Sequence, residues 1–330
     1  MRCPICDNFL FNKLINLYDD RYGEPNLYSI KECNHCGHYC TFPRLNNNQL
    51  PSLYSNFYPR KNINLESIVE EAKTESRKFS GFLRWLKGTN NQGQFYAKKN
   101  DLFLDIGCGS GVSLIEAEYL GAKAFGLEAD PNVEKIKKAL NLNIFQGNLD
   151  ESPLKDTTFN LIVLNQVIEH IPEPDILLKS LKTKLTKNGL IIISFPNINS
   201  FWRFLFKEKW INWHVPYHLH HFNNKNFTTL IKKCGFKIIK EKSITPNIWT
   251  LMQFRTIRNS ILIGEKNNLW ITDNQFNNVH KSDKTIFNKL NIFLKKLLKI
   301  LILFPITIFN RFIDLFGLGD SLIFFIKVKN

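Results

Sequence analysis

The residues best suited to hold a small ligand lie in one short stretch, LFLDIGCGSG, at residues 102–111. Its apolar part predicts a buried strand, and Gly107, Gly109 and Gly111 allow the following turn to adopt positive φ and approach a ligand without a Cβ clash. A helix is predicted to start at Val112, with the free N–H groups of its first turn pointing to the same place. The arrangement favours a nucleotide-like ligand, although the glycines alone would also fit an ordinary tight turn.

Two acidic residues indicate which nucleotide-like ligand would fit. A dinucleotide-binding loop requires a glycine where this chain has Val112, so the phosphate-binding pattern is incomplete. Asp105 lies inside the motif, where a carboxylate would repel a pyrophosphate but suit an ammonium group. Glu128 ends the next apolar run, at the spacing expected of an acceptor for ribose hydroxyls. Together the two acids predict a nucleoside without phosphates.

Four cysteines near the N-terminus have the spacing of a metal site. Cys3 and Cys6 form one Cys-x-x-Cys pair, and Cys33 and Cys36 form a second. Two such pairs can place four thiolates at the corners of a tetrahedron, which is the geometry of structural zinc sites. No apolar signal sequence precedes them, so we expect a reducing cytoplasm, where disulfides are the less favoured use. His35, His38 and Cys40 lie nearby, and we interpret them as surface or packing residues.

Two histidines are candidates for removing a proton. His170 follows Glu169 after a predicted strand, and His218 lies within WHVPYHLHHF at residues 213–222. A histidine near its ordinary pKa of about 6.5 can act as a base at neutral pH. Histidines among aromatic residues are also common as packed, hydrogen-bonded side chains. A metal ion is a third interpretation, which the lack of an interleaved carboxylate or cysteine disfavours.

The elements that must position these residues follow from the apolar pattern. Short runs that are apolar on both faces predict the central strands of a parallel sheet covered by helices. The predicted strands are 103–106, 125–127, 161–164, 190–194, 236–244 and 321–328. The predicted helices between them are 133–140, 176–185 and 223–234. The order of strands and helices therefore predicts an α/β fold.

From about residue 95 to residue 243 the chain resembles the class I S-adenosylmethionine-dependent methyltransferases. DIGCGSG is similar to their first motif, and QGNLDESPLKDTTFNLIVLNQVIEHIPEP is similar to their next block. The resemblance implies that S-adenosylmethionine is the cofactor, with Glu128 on its ribose hydroxyls and an amide, Asn148, replacing the acid that reads adenine. The predicted cofactor-binding residues are Asp105, Gly107, Cys108, Gly109, Gly111, Glu128, Asn148, Leu149 and Asn165.

WHVPYHLHHF resembles the P-x-H-L-x-x-F segment of one subgroup of these enzymes. That subgroup often carries an N-terminal zinc ribbon and is associated with cell-surface polysaccharide synthesis. The resemblance therefore implies methyl transfer to a small-molecule acceptor, namely a sugar, a surface-glycan precursor or a lipid-linked saccharide. The predicted catalytic residues are the two candidate bases, His170 and His218.

Two other functions remain open. An RNA methyltransferase would suit the zinc ribbon and the net charge of +15. However, the turn Asn165-Gln166-Val167 lacks the Pro-Pro-Tyr pattern of enzymes that methylate base amines, and the cysteine segment has no basic and aromatic stripe. Nucleic acid is thus the less favoured partner. The other alternative is a non-catalytic scaffold, against which the presence of both Asp105 and Glu128 argues.

The basic charge also raises the question of a membrane. Residues 286–301 place apolar residues at helical spacing opposite lysines and asparagines, which predicts a basic amphipathic helix. The uncharged run 300–309 is too short to span a bilayer and is interrupted by Pro305. We expect residues 285–316 to lie on an anionic membrane surface, on its inner face, or to pack as a helical cap on the protein itself.

These features predict an α/β protein with a Rossmann-like, doubly wound, seven-stranded methyltransferase sheet. A zinc ribbon at residues 1–45 and a helical linker or lid at 46–94 precede the core at 95–245. A helical insertion at 246–318 separates the last two strands, and residues 319–330 supply the final strand. The 330 residues suffice for one sizeable core with these additions.

Overall fold

The computed structural model describes residues 2–46, 48–58, 69–70, 72–73, 80–131, 133–271 and 303–329. The helix expected at 286–301 lies outside these residues, and so does part of the helical linker or lid expected at 46–94. The described part of that linker contains helices at Leu50–Phe57 and Ser80–Lys87. No helix within the described ranges is long and apolar enough to cross a membrane.

The main sheet has seven strands in the order β10-β11-β8-β7-β4-β5-β6, which confirms the predicted Rossmann-like methyltransferase fold. Only β11, within this sheet, runs antiparallel to its neighbours. The strands are β4 (Leu102–Ile106), β5 (Lys123–Glu128), β6 (Ile144–Gln146), β7 (Phe159–Asn165), β8 (Leu185–Pro196), β10 (Phe236–Ile244) and β11 (Ser321–Val328). Both central neighbours of β4 run parallel to it, so the carboxyl ends of β4, β5 and β7 meet at one edge.

A second, four-stranded sheet has the order β1-β2-β3-β9. Its strands are β1 (Phe11–Tyr18), β2 (Leu27–Glu32), β3 (Tyr39–Phe42) and β9 (His220–His221). The first three strands come from the cysteine segment, whereas β9 belongs to the histidine segment after β8. The N-terminal segment is therefore completed by a strand from about 180 residues later, where Cys40 pairs with His220.

Helices cover both faces of the main sheet, as parallel strands that are apolar on both faces require. They are α1 (Leu50–Phe57), α2 (Ser80–Lys87), α3 (Val112–Tyr119), α4 (Val133–Leu140), α5 (Pro174–Lys182), α6 (Phe201–Phe206), α7 (Asn224–Lys233), α8 (Asn247–Arg258), α9 (Asn268–Ile271) and α10 (303–315). Leu104 and Ile106 of β4 enter one core cluster, and Phe103 enters the other. The α8, α9 and α10 helices lie between β10 and β11, in the place predicted for a helical insertion.

Two element bounds differ from the sequence expectation. The helix expected at 176–185 is α5, which ends at Lys182, and Leu185 already pairs with Phe159. The strand expected at 190–194 begins earlier, at Leu185 of β8, and its register with β7 shifts between Phe159 and Leu161. The extra residues of β8 before Gly189 make its pairing with β7 irregular, but the strand continues through them.

Candidate active site

The glycine loop connects β4 to α3 and has the backbone that the sequence predicts. Gly107, Gly109 and Gly111 all have positive φ, of 73°, 55° and 77°. A Cβ on Gly107 would lie 2.6 Å from Val167 Cγ2, so no larger residue fits there without displacing Val167. A Cβ on Gly109 would meet nothing within 4 Å, which places open space beside the loop. The loop therefore combines a tight backbone with a free volume in front of it.

Asp105 lies at the bottom of this loop and is almost completely buried. Its Oδ2 accepts a hydrogen bond from the Ser113 hydroxyl, while its Oδ1 is buried without a hydrogen-bond partner. Burial, with a smaller contribution from the nearby Glu128 carboxylate, raises the pKa of Asp105 to about 7. A buried carboxylate oxygen without a donor is suited to a cationic or hydrogen-bond-donating ligand group.

Glu128 ends β5 and faces the same loop. Its Oε2 accepts a hydrogen bond from Gly109 N at 2.8 Å, and its Oε1 accepts from Ala129 N at 2.9 Å and Asp130 N at 3.2 Å. Three backbone donors thus fix the carboxylate at the carboxyl end of the strand. The structure brings together the two acids that the sequence singled out, on the two sides of the glycine loop.

Asn165 ends β7, and residues outside the predicted set hold its side chain. Its Oδ1 accepts a hydrogen bond from Gly93 N at 2.7 Å, and its Nδ2 donates to Gln94 Oε1 at 3.0 Å. Gln94 in turn donates to Glu116 Oε2 at 2.6 Å. Gly93 and Gln94 belong to a single turn before β4 that no motif in the sequence marked. This network positions the segment preceding the sheet against the carboxyl ends of its strands.

Three further predicted cofactor residues occupy different environments. Asn148 is exposed, and its Oδ1 accepts a hydrogen bond from Glu151 N at 3.0 Å in a local turn. Leu149 is buried in a core cluster, so the side chain packs and only its backbone could face a ligand. Cys108 is buried against the strand behind the loop, where a Cβ on Gly126 would lie 2.6 Å from its Sγ. Their contact with the cofactor stays a prediction.

Glu169, His170 and His218 converge at the end of β7. Their ligand-forming atoms lie within 4.8 Å of one another, and the His170 and His218 rings are 4.7 Å apart. His218 Nδ1 donates to the Asn212 carbonyl at 2.8 Å, which leaves the basic lone pair on Nε2. That Nε2 atom is 4.0 Å from Glu169 Oε1. The structure therefore brings both predicted base candidates together around one carboxyl group.

The electrostatics of this cluster are those of a buried, low-dielectric site. Both oxygens of Glu169 are buried without a hydrogen-bond partner, and burial raises its pKa to about 8. Burial and the neighbouring His170 lower the pKa of His218 well below its usual value. At neutral pH the Glu169 carboxyl thus holds a proton and the His218 imidazole is neutral. The pair can exchange a proton with a group placed between them.

Aromatic residues from the N-terminal segment cover the histidines, and sequence reasoning missed them. Tyr54 Oη lies 3.0 Å from His170 Nδ1, and the ring of Tyr22 lies 5.7 Å from that of His214. The Tyr217 hydroxyl and His214 Nε2 are buried without a hydrogen-bond partner. These tyrosines are far apart in the sequence, so their spacing gave no signal. Only the tertiary packing brings them together.

The four predicted metal-binding cysteines are also brought together. The Cys3 and Cys36 sulfurs are 3.6 Å apart, the Cys6 and Cys33 sulfurs are 3.4 Å apart, and all four lie within 4.8 Å of one another. A tetrahedral zinc ion with Zn–S bonds of about 2.3 Å separates its sulfurs by about 3.8 Å. The two knuckles are built alike, since Asp7 N donates to Cys3 O and Gly37 N donates to Cys33 O. The donor set and its dimensions fit a closed zinc site.

His38 and Cys40 are buried beside this knuckle. The His38 and His220 side chains are hydrogen-bonded, with Nε2 and Nδ1 at 3.1 Å, and His220 Nε2 lies 3.3 Å from the Pro172 carbonyl oxygen. This contact joins the small sheet to the segment that follows Glu169.

A cavity of about 660 Å³ lies at the same end of the sheet, beyond β8. Asn90, Asn197, Ser243 and Trp85 line it, together with Arg311 of α10. The Asn90 Oδ1 and Ser243 Oγ atoms are buried without a hydrogen-bond partner. The cavity is separate from the loop between Asp105 and Glu128, and its lining combines amide side chains with charged and aliphatic ones.

Comparisons with known proteins agree with this geometry. Residues 82–241 match the family model described as a methyltransferase domain. The chain is 33% identical over 99 residues to the mitochondrial ubiquinone biosynthesis O-methyltransferase of Schizosaccharomyces pombe, covering 28% of this chain and 36% of that protein. It is 32% identical over 120 residues to the ribosomal protein L11 methyltransferase of Helicobacter hepaticus, covering 34% and 35%.

A solved SAM-dependent methyltransferase from Archaeoglobus fulgidus is 14% identical, with a TM-score of 0.41 over 80% of this chain and 94% of that one. The chain spans about a third of the length of the two curated relatives named above. The family match covers the glycine loop, both acids and the end of β7. Together with the strand order, this match supports a class I methyltransferase domain at residues 82–241.

Proposed function

We propose that the protein transfers a methyl group from S-adenosylmethionine to a sugar, a surface-glycan precursor or a lipid-linked saccharide. The observation that carries the methyl-transfer proposal is the pair of acids beside the open glycine loop. Asp105 has a buried carboxylate oxygen without a donor, and Glu128 is fixed at the end of β5 by three backbone N–H groups. A cationic nucleoside without phosphates matches this charge and shape.

The residues present fit that cofactor group by group. The methionine ammonium group would lie near Asp105, whose pKa of about 7 falls when a cation binds beside it. The ribose hydroxyls would donate to Glu128, and the backbone of Gly107–Gly109 leaves room for the chain between them. When bound, the cofactor supplies a methyl group on a positively charged sulfur.

The protein's remaining tasks are to hold the acceptor in line with that methyl group and to remove one proton. Holding two reactants in the right geometry accounts for much of the rate enhancement in such displacements. His170 and His218 stand at the end of β7, next to the strand that carries the glycine loop. His218 Nε2 would take the acceptor proton in molecules whose Glu169 has already ionised, because the Glu169 carboxylate then stabilises the resulting imidazolium.

Three observations support the acceptor class. The cavity near β10 and β11 presents Asn90, Asn197, Ser243 and Trp85, which are side chains suited to hydroxyl groups and to the apolar face of a sugar ring. Several relatives are named O-methyltransferases of ubiquinone biosynthesis, which supports an oxygen as the acceptor atom. The resemblance of WHVPYHLHHF to enzymes of polysaccharide synthesis supports a saccharide.

We also propose that Cys3, Cys6, Cys33 and Cys36 bind a structural zinc ion. Four thiolates leave no open coordination position, so the ion has no part in the chemistry. The small sheet buries little apolar surface by itself, because β1 is largely exposed. A metal crosslink would provide the stability that this segment lacks.

The experiment that tests the function compares the surface-glycan precursor pools of cells with and without the gene by mass spectrometry. A methylated saccharide that disappears with the gene supports the proposal. Calorimetry with S-adenosylmethionine on the purified protein is measured in parallel. Cofactor binding without any change in the saccharides would contradict the acceptor class alone, whereas no binding would contradict methyl transfer itself.

A further inference from the structure

The α10 helix, residues 303–315, has its polar side turned inward. Asn310 is fully buried, and its Nδ2 donates to Asn247 Oδ1 and to Thr250 Oγ1, both at 3.0 Å. Its Oδ1 accepts from the Trp202 indole N–H at 3.0 Å. Thr307 Oγ1 accepts from Asn247 Nδ2 at 2.7 Å. These hydrogen bonds attach α10 to α8 and α6 through amide, hydroxyl and indole groups.

The same polar side carries a buried ion pair. Arg311 Nη2 lies 2.8 Å from Asp314 Oδ2, and both side chains are shielded from solvent. The Arg311 guanidinium also donates to the carbonyls of Trp85 and Thr245, and Asp314 accepts from Thr245 Oγ1 at 2.7 Å. Burial raises the pKa of the Asp314 carboxyl, while Arg311 holds it down. The polar face is thus a built and largely satisfied contact with the rest of the protein.

The opposite side of α10 is apolar and faces outward. Phe304 is 65% exposed, Phe312 is 56% exposed and Leu315 is 81% exposed, and Ile308 lies between them on the same face. A helix on a water-soluble surface has the reverse arrangement, with its apolar stripe against the core. Exposed single apolar residues are ordinary, but a continuous large apolar stripe marks a surface that another apolar phase covers.

Neighbouring helices extend this surface. Phe204 and Leu205 of α6 are exposed, and so is Phe254 of α8. Trp202 joins the three helices, since its ring lies 5.9 Å from Phe254 and 5.5 Å from Phe309. We call this surface the apolar face. It consists of Phe204, Leu205, Phe254, Phe304, Ile308, Phe309, Phe312, Leu315 and Phe316.

Charge decides which partner suits the apolar face. Among the residues of α6, α8, α10 and the turn after α6, the exposed charged side chains are Lys207, Glu208, Lys209, Arg255 and Arg258. Four of the five are basic, and they stand on the turn and the helix that flank the aromatic residues. Two copies of a basic surface would repel each other, whereas anionic lipid headgroups complement it. No helix in the described residues could span a bilayer, so the contact would be interfacial.

We propose that the apolar face docks the protein on an anionic lipid bilayer. The outward aromatic and aliphatic side chains of α6, α8 and α10 enter the headgroup region, and the four basic residues contact the lipid phosphates. The buried Asn310 network and the Arg311–Asp314 pair keep α10 attached to the protein while its apolar side meets the lipid. This docking goes beyond methyl transfer and does not depend on it.

Flotation of the full chain with liposomes tests this proposal. Phosphatidylcholine vesicles with and without phosphatidylglycerol are compared for the wild type, for the triple variant Phe304→Asp/Phe312→Asp/Leu315→Asp, and for the control Phe11→Asp/Ile15→Asp. Phe11 and Ile15 are 54% and 64% exposed on β1, away from the apolar face. Circular dichroism melting shows that each variant folds.

The wild type and the control should float with the anionic vesicles, and added salt should weaken this binding by screening. The triple variant should lose at least about a hundredfold in partitioning, because three large apolar side chains no longer enter the lipid. A wild type that stays with the unbound fraction would overturn the proposal, as would a triple variant that floats equally well. A wild-type dimer that the triple variant converts to a monomer would assign the face to a second copy and would also overturn it.

Discussion

Two buried carboxyl groups lie near the same edge of the sheet, and they differ in what surrounds them. Asp105 lies in β4, with one oxygen bonded to Ser113 and the other buried without a donor. Glu169 follows β7 with both oxygens unpartnered and an imidazole 4.0 Å away. Burial raises the pKa of Asp105 to about 7 and that of Glu169 to about 8.

The difference indicates a division of tasks. Asp105 lies near the open space at Gly109, and among the described residues no basic side chain is a cause of its pKa shift, so a ligand must supply its positive charge. Glu169 lies next to His218 and His170, so a proton can pass within the protein. A carboxylate with no cation beside it in the protein is suited to binding a cationic ligand. A carboxyl group next to imidazoles is suited to proton transfer.

The largest expected effect is that of Glu169→Gln on turnover. The amide has the shape of the carboxyl group but cannot ionise to stabilise a protonated His218. We expect kcat to fall by about a hundredfold or more, which is the usual contribution of general acid–base catalysis. Calorimetry should show S-adenosylmethionine binding within about twofold of the wild type. A Glu169→Gln variant with full kcat would assign the proton transfer to His170 alone or to water.

The next effect is that of Asp105→Asn on cofactor affinity. The amide keeps the bond with Ser113 but removes the negative charge that a bound ammonium group needs. We expect the Kd for S-adenosylmethionine to rise by about 10- to 100-fold, with the melting temperature unchanged or higher since a buried ionisable group is lost. Glu134→Gln on α4, whose side chain is 43% exposed, is the matched control. Equal Kd values for Asp105→Asn and wild type would remove Asp105 from the cofactor site.

The pH dependence should separate the two carboxyl groups. The pKa of Asp105 is raised to about 7, so below that pH the group is protonated and must release its proton before a cation binds. Affinity for S-adenosylmethionine should therefore weaken as pH falls below about 7, by up to tenfold per unit, and level off above it. The Asp105→Asn variant should flatten this binding profile.

Turnover at saturating cofactor should instead rise up to about pH 8, where Glu169 ionises. Glu169→Gln should flatten this turnover profile and leave the binding profile unchanged. A single break point shared by both profiles in the wild type would contradict the division of tasks.

The smallest expected effect comes from removing the metal. The small sheet includes β9, and Tyr22 and Tyr54 from the N-terminal segment cover the histidines, whereas the glycine loop touches none of these residues in the described contacts. Chelation, or the Cys33→Ser variant, should thus lower kcat by about tenfold while changing the cofactor Kd much less. The metal content is measured by mass spectrometry. An equal loss of kcat and of cofactor affinity would show that the N-terminal cysteine segment supports the whole core.

The residues proposed to bind the cofactor could be predicted from the sequence, but much of the environment of the proton-transfer residues could not. Asp105, Gly107, Gly109 and Glu128 are fixed by local strand and turn geometry, so their spacing carries the information. The lone pair on His218 depends on the Asn212 carbonyl, a contact that no spacing encodes. The same holds for the contact of Gln94 with Asn165, which joins a turn to the end of a distant strand.

The helical insertion shows a second limit. The sequence predicted that residues 285–316 lie on a membrane surface or pack as a helical cap, but not which side of α10 faces the protein. The answer depends on partners such as Asn247 and Thr250 on α8, which give Asn310 a better environment than water does. Apolar periodicity identifies an apolar stripe on a helix, whereas hydrogen-bond partners elsewhere in the chain decide whether that stripe faces the protein or the outside.

The pairing of β3 with β9 has a consequence for synthesis of the chain. Tyr39 and Cys40 leave the ribosome long before His220 and His221, so the small sheet stays one strand short until two thirds of the protein has been made. Contacts between residues so distant in sequence form slowly. Until β9 is in place, the unpaired edge of β3 can pair with strands of other chains. Binding of the proposed zinc ion at the nascent N-terminus would shorten that vulnerable interval, and zinc supply would then determine the yield of correctly assembled protein.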